Sequence, residues 1–298
     1  DHHLGIHGGG HGAMKGAMMQ ALEPLLQEIA PDRVMVYGDT NSTLAGALVA
    51  AKLHIPVAHV EAGLRSFNRA MPEEINRIVA DQMSDILFSS TATATQNLLR
   101  EGFARESIHE VGDVMYDAAL QFAEVAGRRG GLLAELGLEP GGYVLATVHR
   151  AENTDSRSRL EAIVTGLEEV AARMPVVLPL HPRTRASMAA QGLAFEKVRL
   201  IDAVGYLDMV ALESRAALIA TDSGGVQKEA FFYAVPCVTL RDETEWIELV
   251  ELGWNRLASP AGGGLAGAIL GALGSRGVDA QPYGDGKAAQ AIARILAQ

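Results

Sequence analysis

Residues 33–61 read RVMVYGDTNSTLAGALVAAKLHIPVAHVE, and this stretch decides the fold class. Arg33–Tyr37 is a short apolar run closed by Gly38-Asp39, Ser42–Leu53 is Ala/Leu-rich and helical, and Ile55–Val60 is a second apolar run. A strand, a helix and a strand in so short a span predict two parallel strands joined by a crossover helix. The alternation continues outward. Pro72–Met83 predicts a helix with Pro72 in the first turn, where a missing N–H costs nothing, and Glu73 and Glu74 where the helix dipole favours negative charge. Ile86–Ser89 and Ile108–Val111 predict strands, with Thr91 or Thr93 capping the helix between them.

The glycine-rich segment Arg128–Gly142 interrupts this rhythm, which then restarts. Val144–Val148, Val176–Leu180, Val198–Asp202, Ala217–Ala220 and Cys237–Leu240 are the second series of strands; Ser158–Met174, Gly205–Arg215, Val226–Tyr233 and Thr244–Leu252 are the helices between them. Near-continuous apolar strands separated by helices predict parallel sheets buried on both faces. The expectation is an α/β protein of two Rossmann-like lobes facing a cleft. The first lobe (1–120) is incomplete at its N-terminus, having four strands where about five to seven are usual. Residues 121–284 form the second lobe, and a last helix in 285–298 packs back on the first.

The 298 residues are 48% hydrophobic and 20% charged, with a formal net charge of −11. Such a surplus of carboxylates argues against a nucleic-acid partner or an anionic membrane surface. No run of 18 apolar residues is long enough to span a membrane. A single cysteine, Cys237, excludes a disulfide framework, reads as a small buried hydrophobe and points to the cytoplasm. His2, His3, His7 and His11 lie in a Gly/His-rich start without interleaved Cys or carboxylates, which reads as a loop rather than a metal site.

Ligands of open parallel sheets sit beyond the carboxyl ends of the strands, so the polar residues there are the candidates. In the first lobe these are Asp39 and Glu61, one strand–helix–strand unit apart, with Glu73 entering the next helix and Arg65 just beyond Glu61. Carboxylates gathered in one crevice suit general acid/base work; the structural alternative is that Asp39 caps a turn and Glu61 pairs with Arg65 or Arg77. In the second lobe His149, Arg150 and His181 follow strands, and Thr221-Asp222-Ser223-Gly224-Gly225 leads into a helix. A Ser-Gly-Gly helix start offers N–H groups to a phosphate, and Glu229, one turn further, reaches a ribose diol. A plain turn and a solvated carboxylate are the corresponding bland readings. No Walker motif is present, nor a Gly-x-Gly-x-x-Gly dinucleotide turn followed by an acidic strand end, which disfavours kinases and NAD-dependent dehydrogenases.

Val36–Thr43 (VYGDTNST), His59–Arg65 (HVEAGLR), Pro72–Arg77 (PEEINR), Thr147–Asn153 (TVHRAEN), Thr221–Gln227 (TDSGGVQ) and Pro282–Gly286 (PYGDG) resemble, in order, motifs of the non-hydrolysing UDP-N-acetylglucosamine 2-epimerase family. The resemblance implies a glycosyltransferase-B-like architecture, a homodimer and no metal or NAD cofactor. It also implies reversible C2 epimerisation of UDP-N-acetylglucosamine to UDP-N-acetylmannosamine by elimination and re-addition of UDP through a 2-acetamidoglucal. Carried over by position, Asp39, Glu61, Glu73 and His149 are catalytic. Ser223, Gly224, Gly225, Glu229, Arg65, Arg150 and His181 then bind the UDP-sugar.

The family's opening Gly-Thr-Arg-Pro-Glu turn has no counterpart, and Ala151 stands where many members carry a second Arg. Ser66-Phe67-Asn68 and Glu245-Trp246-Ile247 resemble a branch acting on UDP-2,3-diacetamido-2,3-dideoxyglucuronate. A UDP-dependent glycosyltransferase of the same fold, and a UDP-sugar-binding chain without turnover, are the rival readings.

Overall fold

Two parallel sheets organise the chain, each in its own compact unit. The computed structural model describes residues 2–128 and 131–297; the Arg129-Gly130 portion of the glycine-rich segment lies outside it. Unit 1 runs to Val114 and also takes the chain from Gln281 onward, whereas unit 2 is continuous from Met115 to Ala280.

Unit 1 contains α1 (His11–Ile29), β1 (Val34–Tyr37), α2 (Asn41–Lys52), β2 (Val57–Ala62), α3 (Pro72–Gln82), β3 (Ile86–Ser89), α4 (Ala92–Arg100) and β4 (Ile108–Glu110). The strands pair in the order β1-β2-β3-β4. Thr40 caps α2 by accepting the Thr43 N–H, and Thr91 caps α4 by accepting that of Ala94. Pro72 occupies the first turn of α3, with Glu73 and Glu74 beside it. The sequence reading does not identify α1. It carries Gly12 and Gly16 and buries no residue fully, so no apolar stripe marks it; it is held on α2 through contacts such as Asn41 Nδ2 with Met14 Sδ at 3.4 Å.

Unit 2 contains α5 (Val114–Arg128), α6 (Gly131–Glu135), β5 (Val144–Thr147), α7 (Ala151–Thr154), α8 (Arg157–Ala171), β6 (Val176–Pro179), α9 (Pro182–Gln191), β7 (Arg199–Ile201), α10 (Tyr206–Glu213), β8 (Leu218–Thr221), α11 (Gly224–Phe232), β9 (Cys237–Thr239), α12 (Ile247–Glu251), β10 (Asn255–Leu257) and α13 (Leu265–Leu270). Period-two alternation sorts its core. Val144, Ala146, Leu178 and Ala220 face one cluster with Leu160, Leu167 and Ile269, while Leu145, Val177 and Ile219 face another with Val210 and Leu212. Cys237 is buried in the second cluster, and burial raises its thiol to a pKa of about 12.

The order β10-β9-β8-β5-β6-β7 has a decisive feature. From β5 the chain moves outward through β6 to β7, then returns to place β8 on the other side of β5. The boundary between β5 and β8 is therefore a topological switch point, where diverging loops open a crevice at the carboxyl ends of the strands. The sequence reading misses β10, and α12 starts three residues later than expected. The last helix, α14 (Ala288–Leu296), returns to unit 1, where Ile292 packs with Ala58, Val60 and Phe88.

Candidate active site

In unit 2 the switch point is organised by one buried carboxylate. Asp222, fully buried just after β8, accepts the backbone N–H of His149 at 3.0 Å, that of Arg150 at 3.0 Å and the Asn153 amide at 3.1 Å. His149 Nδ1 lies 3.2 Å from the same carboxylate. Burial opposes the charge, but these donors, His149 foremost, hold Asp222 below the usual carboxylate range. A proton on Nδ1 leaves Nε2 of the partly exposed His149 pointing away from Asp222.

The His181 ring lies 5.6 Å from that of His149, and its Nδ1 accepts the Arg183 N–H at 3.2 Å, so its proton sits on Nε2. Ser223 caps α11 by accepting the Val226 N–H. Gly224 and Gly225 thus begin a helix whose leading N–H groups have no intrahelical acceptor. A Cβ on Gly224 would lie 2.7 Å from Glu245 Oε1 and 3.6 Å from Arg150 Nη2, so only glycine fits there without displacement. Arg150 Nη2 and Glu245 Oε1 are 3.7 Å apart, and Arg241 Nη1 donates to Glu245 Oε2 at 2.9 Å.

His149, His181 and Ser223 line a cavity of about 200 Å³ whose other walls include Pro179, Val204 and Met209. A larger surface depression of about 950 Å³ lies between α8 and α13, away from the strand ends and their polar residues. Glu229, on α11, is buried and faces Glu213 of α10. Both Glu213 oxygens lack a hydrogen-bond partner among the described residues. Burial, then the neighbouring Glu229, raises Glu213 well above the ordinary carboxylate range. Burial raises Glu229 as well, against the pull of the Tyr206 hydroxyl and Lys228.

In unit 1, β2 bulges against β3 between Val60 and Ala62, and Glu61 takes a left-handed φ of 73° there. The bulge re-aims the Glu61 side chain, whose Oε2 would lie 3.3 Å from a Cβ on Gly38. Asp39 pairs with Arg77, whose Nη1 also contacts Glu74 at 3.0 Å. Glu73 is half-buried and has no hydrogen bond or ion pair among the described residues.

Arg65, by contrast, is 3% exposed and fully engaged. It donates to both Glu101 oxygens at 2.7 and 2.6 Å and pairs with Asp81 at 2.7 Å. Its guanidinium ties the loop after β2 to Asp81 of α3 and to Glu101 at the end of α4.

The residues that sequence reasoning passed over are the anchors: Asp222, Asn153, Asp81 and Glu74. Asp222, Asn153 and Glu74 lie inside the motifs quoted above but drew no anchoring role there, and Asp81 carried no local signal. Among the described residues no three His, Cys, Asp or Glu side chains gather as a metal site, and no helix is long and apolar enough to cross a membrane.

Two parallel sheets, a switch-point crevice and a helix start open to anions define a nucleotide-binding α/β enzyme class. Residues 1–297 match the family model described as UDP-N-acetylglucosamine 2-epimerase, and the chain belongs to that family of isomerases. It is 54% identical, over its whole length and 84% of the relative's, to UDP-2,3-diacetamido-2,3-dideoxy-D-glucuronate 2-epimerase of Pseudomonas aeruginosa. It is 44% identical to UDP-N-acetylglucosamine 2-epimerase of Methanocaldococcus jannaschii, over 92% of this chain and 78% of that protein.

The crystal structure of the M. jannaschii enzyme with UDP-GlcNAc and UDP superposes with a TM-score of 0.92, covering 98% of this chain and 83% of that one. The Neisseria meningitidis enzyme bound to UDP-GlcNAc gives 0.88 at 28% identity, covering 97% and 82%.

Proposed function

We propose that the chain inverts C2 of UDP-2,3-diacetamido-2,3-dideoxy-D-glucuronate by eliminating and re-adding UDP. The observation that carries the sugar's identity is the 54% identity to an epimerase of that name across the entire chain. A base removes the C2 proton as the C1–O bond breaks and its electrons leave with UDP. The resulting glycal takes UDP back at C1 while C2 is protonated on the other face. No electrons are gained or lost, so the reaction itself demands no redox cofactor.

Unit 2 supplies the nucleotide seat in this reading. The helix start at Ser223-Gly224-Gly225, with His149 and Arg150, receives the diphosphate, and the Val204/Met209 wall of the small cavity suits the flat base. His181 offers Nε2–H at the rim, and Glu229 takes the ribose. The carboxylates of unit 1 transfer the protons: Glu61 on its bulge, Asp39 held by Arg77, and Glu73. Arg65 acts by fixing the loop after β2 rather than by touching the ligand. A homodimer is part of the reading, and light scattering on the eluting protein tests it.

UDP-N-acetylglucosamine is the second reading, supported by the 44% identical M. jannaschii enzyme. Incubating the enzyme with each sugar nucleotide in deuterium oxide separates them. The expected result is C2 deuteration and a new 2-epimer with the diacetamido-glucuronate at higher kcat/KM; a preference for UDP-N-acetylglucosamine reverses the assignment. Transfer of sugar to an acceptor without C2 exchange marks a glycosyltransferase instead. Binding without any exchange marks a chain that does not turn over.

A further inference from the structure

We propose that His59 is a positioning residue, a buried imidazolium that holds the bulged Glu61 and the Gly38-Asp39 turn in register for proton transfer. The proposal rests on the acid/base reading of Glu61. His59 is fully buried and stands two residues before Glu61, on the same face of β2 until the bulge turns the chain. Its Nε2 lies 2.7 Å from the Gly38 carbonyl oxygen. A carbonyl can only accept, so that nitrogen carries a proton.

Nδ1 lies 2.6 Å from Asp81 Oδ1. The other Asp81 oxygen accepts the Gly63 N–H at 3.2 Å and meets Arg65 Nη2 at 2.7 Å. A guanidinium on Oδ2 favours the ionised carboxylate and leaves the second proton on the ring. With both nitrogens protonated, the ring is a cation. Burial alone lowers the basicity of a histidine; here the hydrogen bond and charge of Asp81, the Gly38 carbonyl and the Glu61 charge raise it instead.

The groups facing the ring are Asp81 from α3, Glu61 from β2 and the Gly38 carbonyl from the turn after β1. Behind Asp81 stand Arg65 and Glu101, and the next residue of the turn, Asp39, is held by Arg77. Gly38 and Glu61 both have left-handed backbones, with φ of 61° and 73°. The ring therefore holds the turn before Asp39 directly through the Gly38 carbonyl and, through Asp81, the Gly63 N–H just beyond the Glu61 bulge. It also sets a buried positive charge within electrostatic reach of the partly exposed Glu61.

Two measurements on the full chain test this. In long-range proton–nitrogen spectra of the wild-type protein at pH 8, with the His59 ring assigned through bonds from its own backbone resonances, both ring nitrogens should resonate as protonated. A bare ring nitrogen overturns the proposal, and this readout stands even where the variant folds poorly. In kinetics of His59→Gln, losing one neighbouring charge should lower kcat by about tenfold or more and move the acidic limb of kcat/KM upward by about one pH unit, with KM within about twofold. A fall in kcat with the limb unmoved indicates mere structural damage and overturns it, as does an unchanged enzyme. Glu61→Gln is the control: retained C2 exchange with solvent deuterium removes the acid/base reading. An inactive Glu61→Gln beside an unmoved His59→Gln limb removes the His59 proposal alone.

Discussion

In unit 1 Asp39 meets Arg77, and Asp81 meets both Arg65 and His59, so each of these carboxylates has a cation within ion-pair reach. In unit 2 the buried Asp222 gathers two backbone N–H groups and an amide as well as the His149 ring. Glu213 faces Glu229 there with neither of its own oxygens hydrogen-bonded among the described residues. The difference separates two tasks. Fixed cations keep carboxylates charged and oriented, which suits proton transfer. Backbone N–H groups and helix starts are presented by folding one carboxylate inside, which suits holding an anion. Rate should therefore be most sensitive to changes in unit 1, and nucleotide affinity to changes in unit 2.

Glu61→Gln carries the largest expected effect. It should lower kcat on the order of a thousandfold, as for loss of a general acid or base, while calorimetry finds UDP affinity unchanged within about twofold. A parallel loss of UDP binding breaks the comparison. Asp222→Asn comes next: an amide cannot accept from all its present donors, so thermal unfolding should show a loss of about 3 kcal/mol. UDP should bind roughly tenfold or more weakly, since His149 and Arg150 lose their anchor. The wild-type stabilisation is present above the ordinary carboxylate range near pH 4, about where an unfolded Asp titrates, and is lost as pH falls through the depressed folded value.

Gly224→Ala should weaken UDP binding by about tenfold or less, because Glu245 must give way to the new methyl while kcat at saturation is nearly kept. Smallest is Glu213→Gln. A raised carboxyl destabilises the fold as pH climbs past the unfolded value near about 4.3. The amide should therefore raise the melting temperature at pH 7.5 and lose that advantage near pH 4. Melting curves at both pH values check it, and a gain that persists in acid refutes the neutral-acid account.

Most of the nine strands legible from sequence are nearly unbroken apolar runs, as burial on both faces of a parallel sheet requires. The edge strand β4, Ile108-His109-Glu110, gains a second apolar residue only from the flanking Val111. β10 escapes because Asn255-Arg256-Leu257 is short, two-thirds polar and at the sheet edge, so one apolar residue is all it shows. α1 escapes because it lies on the surface of α2 with no fully buried side chain.

At the site, strand-end residues such as Asp39, His149 and Ser223 are readable because topology alone puts them on one edge. The residues that orient them are not. Asp81 lies in the last turn of α3, 22 positions from the histidine it contacts, and Glu74 acts by accepting the N–H groups of Ser66 and Phe67 across a loop. The Glu61 bulge has no sequence mark, since the left-handed residue is not a glycine.

The divided course of unit 1 bears on how the protein comes to be folded at the ribosome. Unit 2 is one uninterrupted stretch, complete once Ala280 has emerged, whereas unit 1 recruits α14 to the cluster of Ala58, Val60 and Phe88. Synthesis from the N-terminus thus makes the first sheet early and leaves that apolar surface bare while all of unit 2 is translated. The half made first is finished last, and a chain stalled or cut before Ala288 holds a closed unit 2 beside a unit 1 with an exposed, sticky flank.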